Sequence, residues 1–222
     1  MLMEEIYNAM NTVFKTETKI KRWEYSMTKN TKGEQTKNKL IECAAELFFK
    51  NGYNATGIND ILKITKLPKG SFYFHFDSKK ALAIEVNFYF EKKLEEWILE
   101  TANDKNWEEF ITNLVKDMIK GAEEEKYFGC PLTTLGQELA FYEPEIAKYY
   151  SDSLKKLIYI FASVLERSGI HKDKTGKIAN RVFVMYEGYL VYYRISKDID
   201  VLRAMSNDLI AIYKDYLESD VK

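Results

Sequence analysis

The sequence has few of the residues on which disulfide-rich and metal-binding proteins depend. Among 222 residues it contains two cysteines, Cys43 and Cys130, and two histidines. Two cysteines do not make a disulfide framework, and no His or Cys cluster has the spacing of metal ligands. Since there is also no phosphate-binding loop and no base beside Cys130, we expect no cofactor, no metal and no catalytic residues. The chain is therefore not predicted to be an enzyme.

Helix breakers and long apolar runs are also scarce. Three prolines and ten glycines permit long helices over most of the chain. No run of about 18 apolar residues is present, so the sequence predicts no membrane span. The opening residues, Met1-Leu-Met-Glu-Glu, are acidic and lack the apolar core of a signal peptide. We therefore expect a cytoplasmic protein.

The sequence shows helical periodicity over most of its length. Apolar residues recur at helical spacing along most of the chain, while strand-like alternation and Asn-Gly hairpins are missing. Ser78 and Asn106 are suitable N-caps, and Asn106 with Glu109 predicts a capping box. The fold class predicted is all-α. Besides the stretch described next, helices are expected at about 36–50, 79–100, 106–125, 130–140, 144–167, 173–196 and 200–218.

The stretch 56–76 predicts two short helices with a tight turn between them. Thr56 is a suitable N-cap for the first helix, and Ile58 and Ile61 belong to its apolar face. Pro68 cannot continue that helix, but it suits the first turn of the next one. The second helix then carries small, cationic and aromatic residues, Lys69-Gly-Ser-Phe-Tyr-Phe-His-Phe76. Such a pair is a helix-turn-helix, whose second helix can enter a DNA major groove.

From Thr36 to Leu82 the chain resembles the tetracycline-repressor (TetR) family of transcriptional regulators. The specific part is LPKGSFYFHFDSKKAL, which follows the family pattern of Lys-Gly, an aromatic-Tyr pair, His-Phe and Ser-Lys. The chain departs from that pattern with Leu62 in place of Ala and Lys66 in place of Gly, so either Lys66 holds a positive φ or the turn differs locally.

The resemblance implies a division of labour along the chain. It implies a three-helix DNA-binding domain over 31–80 and a helical effector-binding and dimerisation domain over 81–222. The implied function is that of a homodimeric repressor, which binds a palindromic double-stranded operator and is released by a small-molecule effector. Transcriptional activation, and a helical interaction protein without specific DNA binding, are the alternatives. Residues 1–30 are either a wrongly assigned start upstream of Met27 or an extra helix.

Matching the motif position by position also implies the DNA contacts. Residues placed near phosphates are Thr56, Tyr73, His75 and Lys79. Residues placed at or near base edges are Thr65, Pro68, Lys69, Ser71 and Phe74, and Gly70 allows close backbone approach. Phe74 is a candidate contact for a thymine methyl group. His75 is alternatively a packing residue, and Phe72 and Phe76 are expected in the core.

Charge is distributed unevenly in a way that suits a DNA-binding head. Residues 29–80 contain ten lysines and five acids, a net charge of +5. Residues 81–222 contain nineteen Lys or Arg and twenty-five acids, a net charge of −6. A basic module on an acidic body is typical of a protein whose small end meets phosphates, although chance clustering gives the same pattern.

The effector site is the least determined part of the sequence. Aromatic residues make up 14% of the chain, which favours an aromatic or lipophilic ligand. The segment YFGCPLTTLGQELA resembles a stretch found in a TetR subgroup that often governs efflux or detoxification genes. Cys130 is either a redox-sensing thiol or a buried small residue. Candidate ligand-binding residues are Trp97, Phe110, Phe128, Cys130, Gln137, Glu138, Tyr159, Phe183 and Tyr186, with Gln137 and Glu138 as polar anchors unless they lie at the surface.

Overall fold

The computed structural model of the protein describes residues 31–220, with side chains as far as Glu218. Over these residues the chain is all-α, as the sequence predicts, and has no strand. The possible extra helix in residues 1–30 lies outside the described residues. The helices are α1 (Lys32–Asn51), α2 (Ile58–Thr65), α3 (Lys69–His75), α4 (Lys79–Ala102), α5 (Trp107–Glu123), α6 (Pro131–Tyr142), α7 (Pro144–Arg167), α8 (Lys172–Ser196) and α9 (Ile199–Asp220).

Helices α1–α3 form a small unit that we call the head. Helix α1 begins earlier than predicted because Thr31 and Glu34 form a capping box. It ends at Gly52, whose φ of +94° suits glycine. The head is held together by buried residues of all three helices, including Leu40, Phe48, Ile61 and Phe72.

The turn between α2 and α3 differs in part from the sequence prediction. Lys66 adopts the left-handed conformation, with φ 57°, which is the first of the two alternatives for this turn. The N-cap of α2 is Gly57, so the prediction of Thr56 as N-cap was wrong. Helix α3 begins at Lys69, and Pro68 is the N-cap residue rather than a member of the first turn.

Helices α4–α9 form a larger unit that we call the body. The predicted caps at Ser78 and Asn106 are present, the latter as a full capping box with Glu109. At the centre of the body, Trp107 is fully buried and its Nε1 donates to the backbone carbonyl of Leu209 at 3.0 Å. This bond fixes the start of α5 against α9.

Helix α8 has two faces of different character. Its inner face buries residues such as Val182, Phe183 and Tyr186 in the body core. Val184, Tyr192 and Ile195 on another face are exposed. Throughout residues 31–220, none of the helices is long and apolar enough to cross a membrane.

Candidate nucleic-acid interface and its link to the body

The aromatic residues of α3 divide between core and surface. Phe72 and Phe76 are buried in the head, and their rings lie 5.6 Å apart. Tyr73 is 49% exposed and Phe74 is 81% exposed. The buried pair anchors a helix of only seven residues, and it leaves the side chains between them at the surface. Phe74 contacts the ring of His75, with ring centres 4.9 Å apart, but most of its surface faces solvent.

The first turn of α3 is open to an approaching molecule. A side chain at Gly70 would meet no atom within 4 Å, so nothing covers the backbone there. Lys69 is exposed, and its Nζ lies 5.8 Å from the ring centre of Tyr73. Pro68 is exposed, while Ser71 and His75 are half-buried. The surface of α3 therefore combines a cation, an uncovered backbone and exposed aromatic rings.

Two of the predicted contact residues are turned into the head. Thr56 is buried, and its hydroxyl donates to the carbonyl of Gly52 at 2.8 Å. Thr65 is buried as well, and its hydroxyl donates to the carbonyl of Ile61 at 2.8 Å. Both side chains satisfy backbone carbonyls, so neither presents its hydroxyl to a phosphate or a base. The prediction of side-chain contacts at these two positions was wrong.

Two basic residues of the head region are also engaged within the molecule. The Nζ of Lys79 lies 4.2 Å from the ring centre of Tyr53, and burial lowers the pKa of this lysine. Lys37 pairs with Glu85 at 2.8 Å. Lys63, Lys66 and Lys69 are exposed around α2 and α3, and they supply positive charge on this side of the head.

The predicted ligand anchor Glu138 holds the head to the body instead. Its carboxylate accepts hydrogen bonds from the backbone N–H groups of Tyr53 and Asn54, both at 2.8 Å. These two residues belong to the loop between α1 and α2, and Glu138 belongs to α6. The placement of Glu138 inside a ligand cavity was therefore wrong, and the residue instead links α6 to the head.

Arg194 makes a second link between head and body, which sequence reasoning missed. Its guanidinium donates to the carbonyls of Phe49 in α1 at 2.7 Å and of Phe128 at 3.0 Å. It also lies 4.4 Å from the centre of the Phe49 ring. A cleft of about 800 Å³ opens beside it, lined by Leu47, Phe49, Ile64, Phe128, Arg194 and Lys197 among others. Arg194 thus connects helix α8 to the head.

Some of the predicted ligand-binding residues come together in the body. Phe161 makes edge-to-face contacts with Phe110, Phe183 and Tyr186, at 5.3–5.4 Å between ring centres. Other candidates lie elsewhere. Gln137 is exposed, Phe128 is 40% exposed beside the cleft, and Trp97 donates from its indole to Asp117 near the surface. Tyr159 is half-buried on α7.

No sequence motif identifies Glu187 as a functional residue, yet the pKa of its carboxyl group is strongly raised. Its Oε2 accepts from the Thr133 hydroxyl at 2.7 Å, while Oε1 is buried without a partner among the described residues. Burial raises the pKa of this carboxyl to about 7, against smaller opposing effects of hydrogen bonds from Thr133 and Cys130. Glu187 follows Tyr186 and so lies at the edge of the aromatic cluster.

Cys130 proves to be a buried residue. It lies at the N-cap of α6, where a helix dipole favours a thiolate. Burial nevertheless raises the pKa of the thiol well above its ordinary value, and Glu187 raises it further. The second cysteine, Cys43, is also buried and free. Of the two interpretations of Cys130, the structure favours the buried small residue.

Both the head and the body are similar to known proteins. Residues 40–86 match the family described as bacterial regulatory proteins, tetR family, and residues 108–208 match the C-terminal domain of LmrA/YxaF-like transcriptional regulators. The chain is 29% identical to an HTH-type regulator encoded in the lacX 3′ region of Lactococcus lactis subsp. lactis, over 76% of this chain and 88% of that protein. It is 28% identical to the HTH-type regulator YxaF of Bacillus subtilis, over 73% and 87% of the two chains.

A solved structure supports the fold. The chain superposes on a TetR-family transcriptional regulator from Cytophaga hutchinsonii with a TM-score of 0.73, at 21% identity. The match covers 85% of this chain and 98% of that one. The arrangement of head and body is therefore the one seen in that solved regulator.

Proposed function

Because the chain belongs to the tetR family of bacterial regulatory proteins, with a C-terminal domain like that of LmrA and YxaF, we propose that it is a cytoplasmic homodimeric repressor. In this proposal it binds a palindromic operator through α3 of each copy. A small aromatic or lipophilic effector then releases it from the DNA. We also assign it to the subgroup that carries the segment Gly-Cys-Pro-Leu, here at 129–132.

The observation that carries the proposal is the division of the α3 aromatics. Phe74 is 81% exposed on a helix whose neighbouring aromatics, Phe72 and Phe76, are buried. An exposed ring costs solvation free energy unless it has a partner, and a thymine methyl group in the major groove is such a partner. In this proposal Lys69 lies at or near a base edge, and the uncovered backbone of Gly70 allows α3 to approach the groove closely.

Dimerisation follows from the geometry of DNA reading. A single α3 of seven residues reads few base pairs, whereas two copies related by symmetry read a palindrome with half-sites about 34–36 Å apart, or a multiple of that distance. The exposed face of α8, with Val184, Tyr192 and Ile195, is a suitable surface for the second copy. Burial of these side chains in a dimer would provide apolar contact area.

Release by an effector requires that the body bias the position of the head. Helix α4 follows the head directly in the chain. Glu138 connects α6 to the loop after α1, and Arg194 connects α8 to the end of α1. An effector that prefers a body conformation with the two heads at a different spacing will lower DNA affinity. A preference of about 1–3 kcal/mol is a typical coupling free energy.

The test is binding of the purified protein to a duplex containing its own promoter, against a random duplex of equal length. We expect preferential binding that weakens steeply with salt, because phosphate contacts release counterions. Lys69→Ala should weaken binding to both duplexes and, because a dimer carries two copies of Lys69, reduce the salt slope by about two. Equal affinity for the two duplexes would contradict specific DNA recognition.

A further inference from the structure

The carboxyl group of Glu187 is incompletely satisfied by the protein. Thr133 donates to Oε2 and the Cys130 thiol also lies against the carboxyl group, but Oε1 is buried with no hydrogen-bond partner among the described residues. A buried acceptor without a donor costs free energy, and such a group calls for a missing water, ion or ligand. The residue as a whole is partly exposed, so its carboxyl group lies just below the surface between α6 and α8.

The surroundings of this carboxyl group contain aromatic rings but no counter-charge. No lysine, arginine or histidine among the described residues pairs with Glu187. Tyr127 and Tyr186 are near enough for Glu187 to raise the pKa of both phenols. Tyr186 in turn packs against Phe183, with ring centres 5.7 Å apart. The faces of aromatic rings and an unpaired carboxylate both attract positive charge, so both favour a cationic ligand.

We propose that Glu187 is the polar anchor of the effector site and that the effector is an aromatic organic cation, with an N–H group that donates to Oε1. This site deepens the proposed function. The role of the ligand as an effector rests on that function, whereas the binding of the ligand at Glu187 does not. The aromatic rings beside Glu187 provide the apolar wall for the flat body of the ligand. The bound cation would supply both a positive charge opposite the Glu187 carboxylate and a hydrogen-bond donor to Oε1.

The two helices that hold this site, α6 and α8, both contact the head. On α6, Thr133 bonds Glu187, and Glu138 accepts from the backbone of the loop after α1. On α8, Glu187 lies about two turns before Arg194, which donates to the carbonyl of Phe49. A ligand that moves α6 relative to α8 therefore disturbs two contacts of the head. Binding at Glu187 is thus positioned to change DNA affinity.

The experiment compares three planar probes of similar size at neutral pH, namely the aminoacridine cation, neutral acridine and anionic acridine carboxylate. Probe fluorescence is titrated with the full-length protein and with Glu187→Gln. The matched control is Glu95→Gln, since Glu95 lies on α4 and burial raises its carboxyl pKa too. Thr133→Val is a second variant, which removes the hydroxyl that stabilises the Glu187 carboxylate. Thermal unfolding of each variant checks that it is folded.

We expect the wild-type protein to bind the aminoacridine cation about tenfold more tightly than acridine, with the anion weakest. Glu187→Gln should bring the cation-to-acridine ratio close to one, Thr133→Val should reduce it, and Glu95→Gln should leave it unchanged. No detectable binding of the cation, or a ratio near one in the wild type, or a ratio unaffected by Glu187→Gln, overturns the proposal. Promoter binding is measured separately. A protein that does not recognise its promoter can therefore be distinguished from one that does not bind the cation at Glu187.

Discussion

Glu138 in the body accepts a 2.8 Å hydrogen bond from the backbone N–H of Tyr53 in the head. The donor is in a buried residue, and the second carboxylate oxygen accepts from Asn54. The pair is 85 residues apart in the sequence. This contact ties the loop between α1 and α2 to α6, which also carries Thr133 at the Glu187 site.

Replacement of Glu138 by Ala should destabilise the protein and weaken communication between body and head. Two backbone N–H groups lose their acceptor, which costs about 1–3 kcal/mol of the free energy of unfolding. The measurement is denaturant unfolding together with effector-induced release of promoter DNA. The control is Gln137→Ala, because Gln137 is exposed beside it. Equal unfolding free energies for the two variants would show that the Glu138 contact does not hold the head.

The neighbouring residues Phe72 and Phe74 should separate folding from DNA recognition. Phe72→Ala empties a buried position and should cost about 3–5 kcal/mol of the free energy of unfolding. Phe74→Ala removes an exposed ring and should change that free energy by less than about 0.5 kcal/mol. It should nevertheless weaken promoter binding by about 1.5–3 kcal/mol for each copy, which is the free energy of burying such a side chain against the thymine methyl group. A Phe74→Ala variant with unchanged promoter affinity would remove Phe74 from the interface.

The carboxyl group of Glu187 should make stability depend on pH. Its pKa is raised from an ordinary value of 4.5 to about 7, so the folded state keeps a proton that the unfolded state has lost. Stability is therefore fully present below pH 4.5 and falls as the pH rises towards 7, by up to about 3 kcal/mol. The measurement is the difference in unfolding free energy between wild type and Glu187→Gln across this range. A difference that does not change with pH would refute the raised pKa.

The two thiols should be unreactive in the folded protein. Cys43 and Cys130 are buried, and burial raises the pKa of each, so little thiolate forms at neutral pH. A thiol-specific chromogenic disulfide reagent should label the native protein slowly and the unfolded protein quickly. Mild oxidant should leave promoter binding unchanged, and Cys130→Ser should behave as the wild type does. Fast labelling of the native protein, absent in Cys130→Ser, would instead restore Cys130 as a sensor.

Local features of the fold were predictable because local chemistry determines them. The capping box at Asn106 and Glu109 follows from two residues close in the sequence. The left-handed Lys66, by contrast, was expected only because the family motif has Gly at that position. The assignment of Thr56 failed for the opposite reason. A threonine before a helix usually accepts from the helix, but here its hydroxyl donates to the carbonyl of Gly52. Only the three-dimensional path of the loop shows which partner the hydroxyl has.

The body was harder to interpret because its polar residues act over long distances in the sequence. Glu138 has the sequence context of a cavity anchor or a surface residue, and its partners Tyr53 and Asn54 lie in another part of the chain. Glu187 and Arg194 follow no motif, and their roles arise from contacts with Thr133 and Phe49. Helical periodicity places such residues on a helix but does not give their partners. The structure supplies that information.

The most direct test of the account is the affinity of the protein for its own operator when the spacing between the half-sites is changed. Two copies of α3 in successive major grooves require the half-sites to face the same side of the duplex, about 10–10.5 base pairs or a multiple apart. Insertion of about half a turn should therefore abolish most of the binding, and insertion of a further half turn should restore part of it. Binding that does not depend on the inserted length would contradict recognition by a symmetric pair of α3 helices.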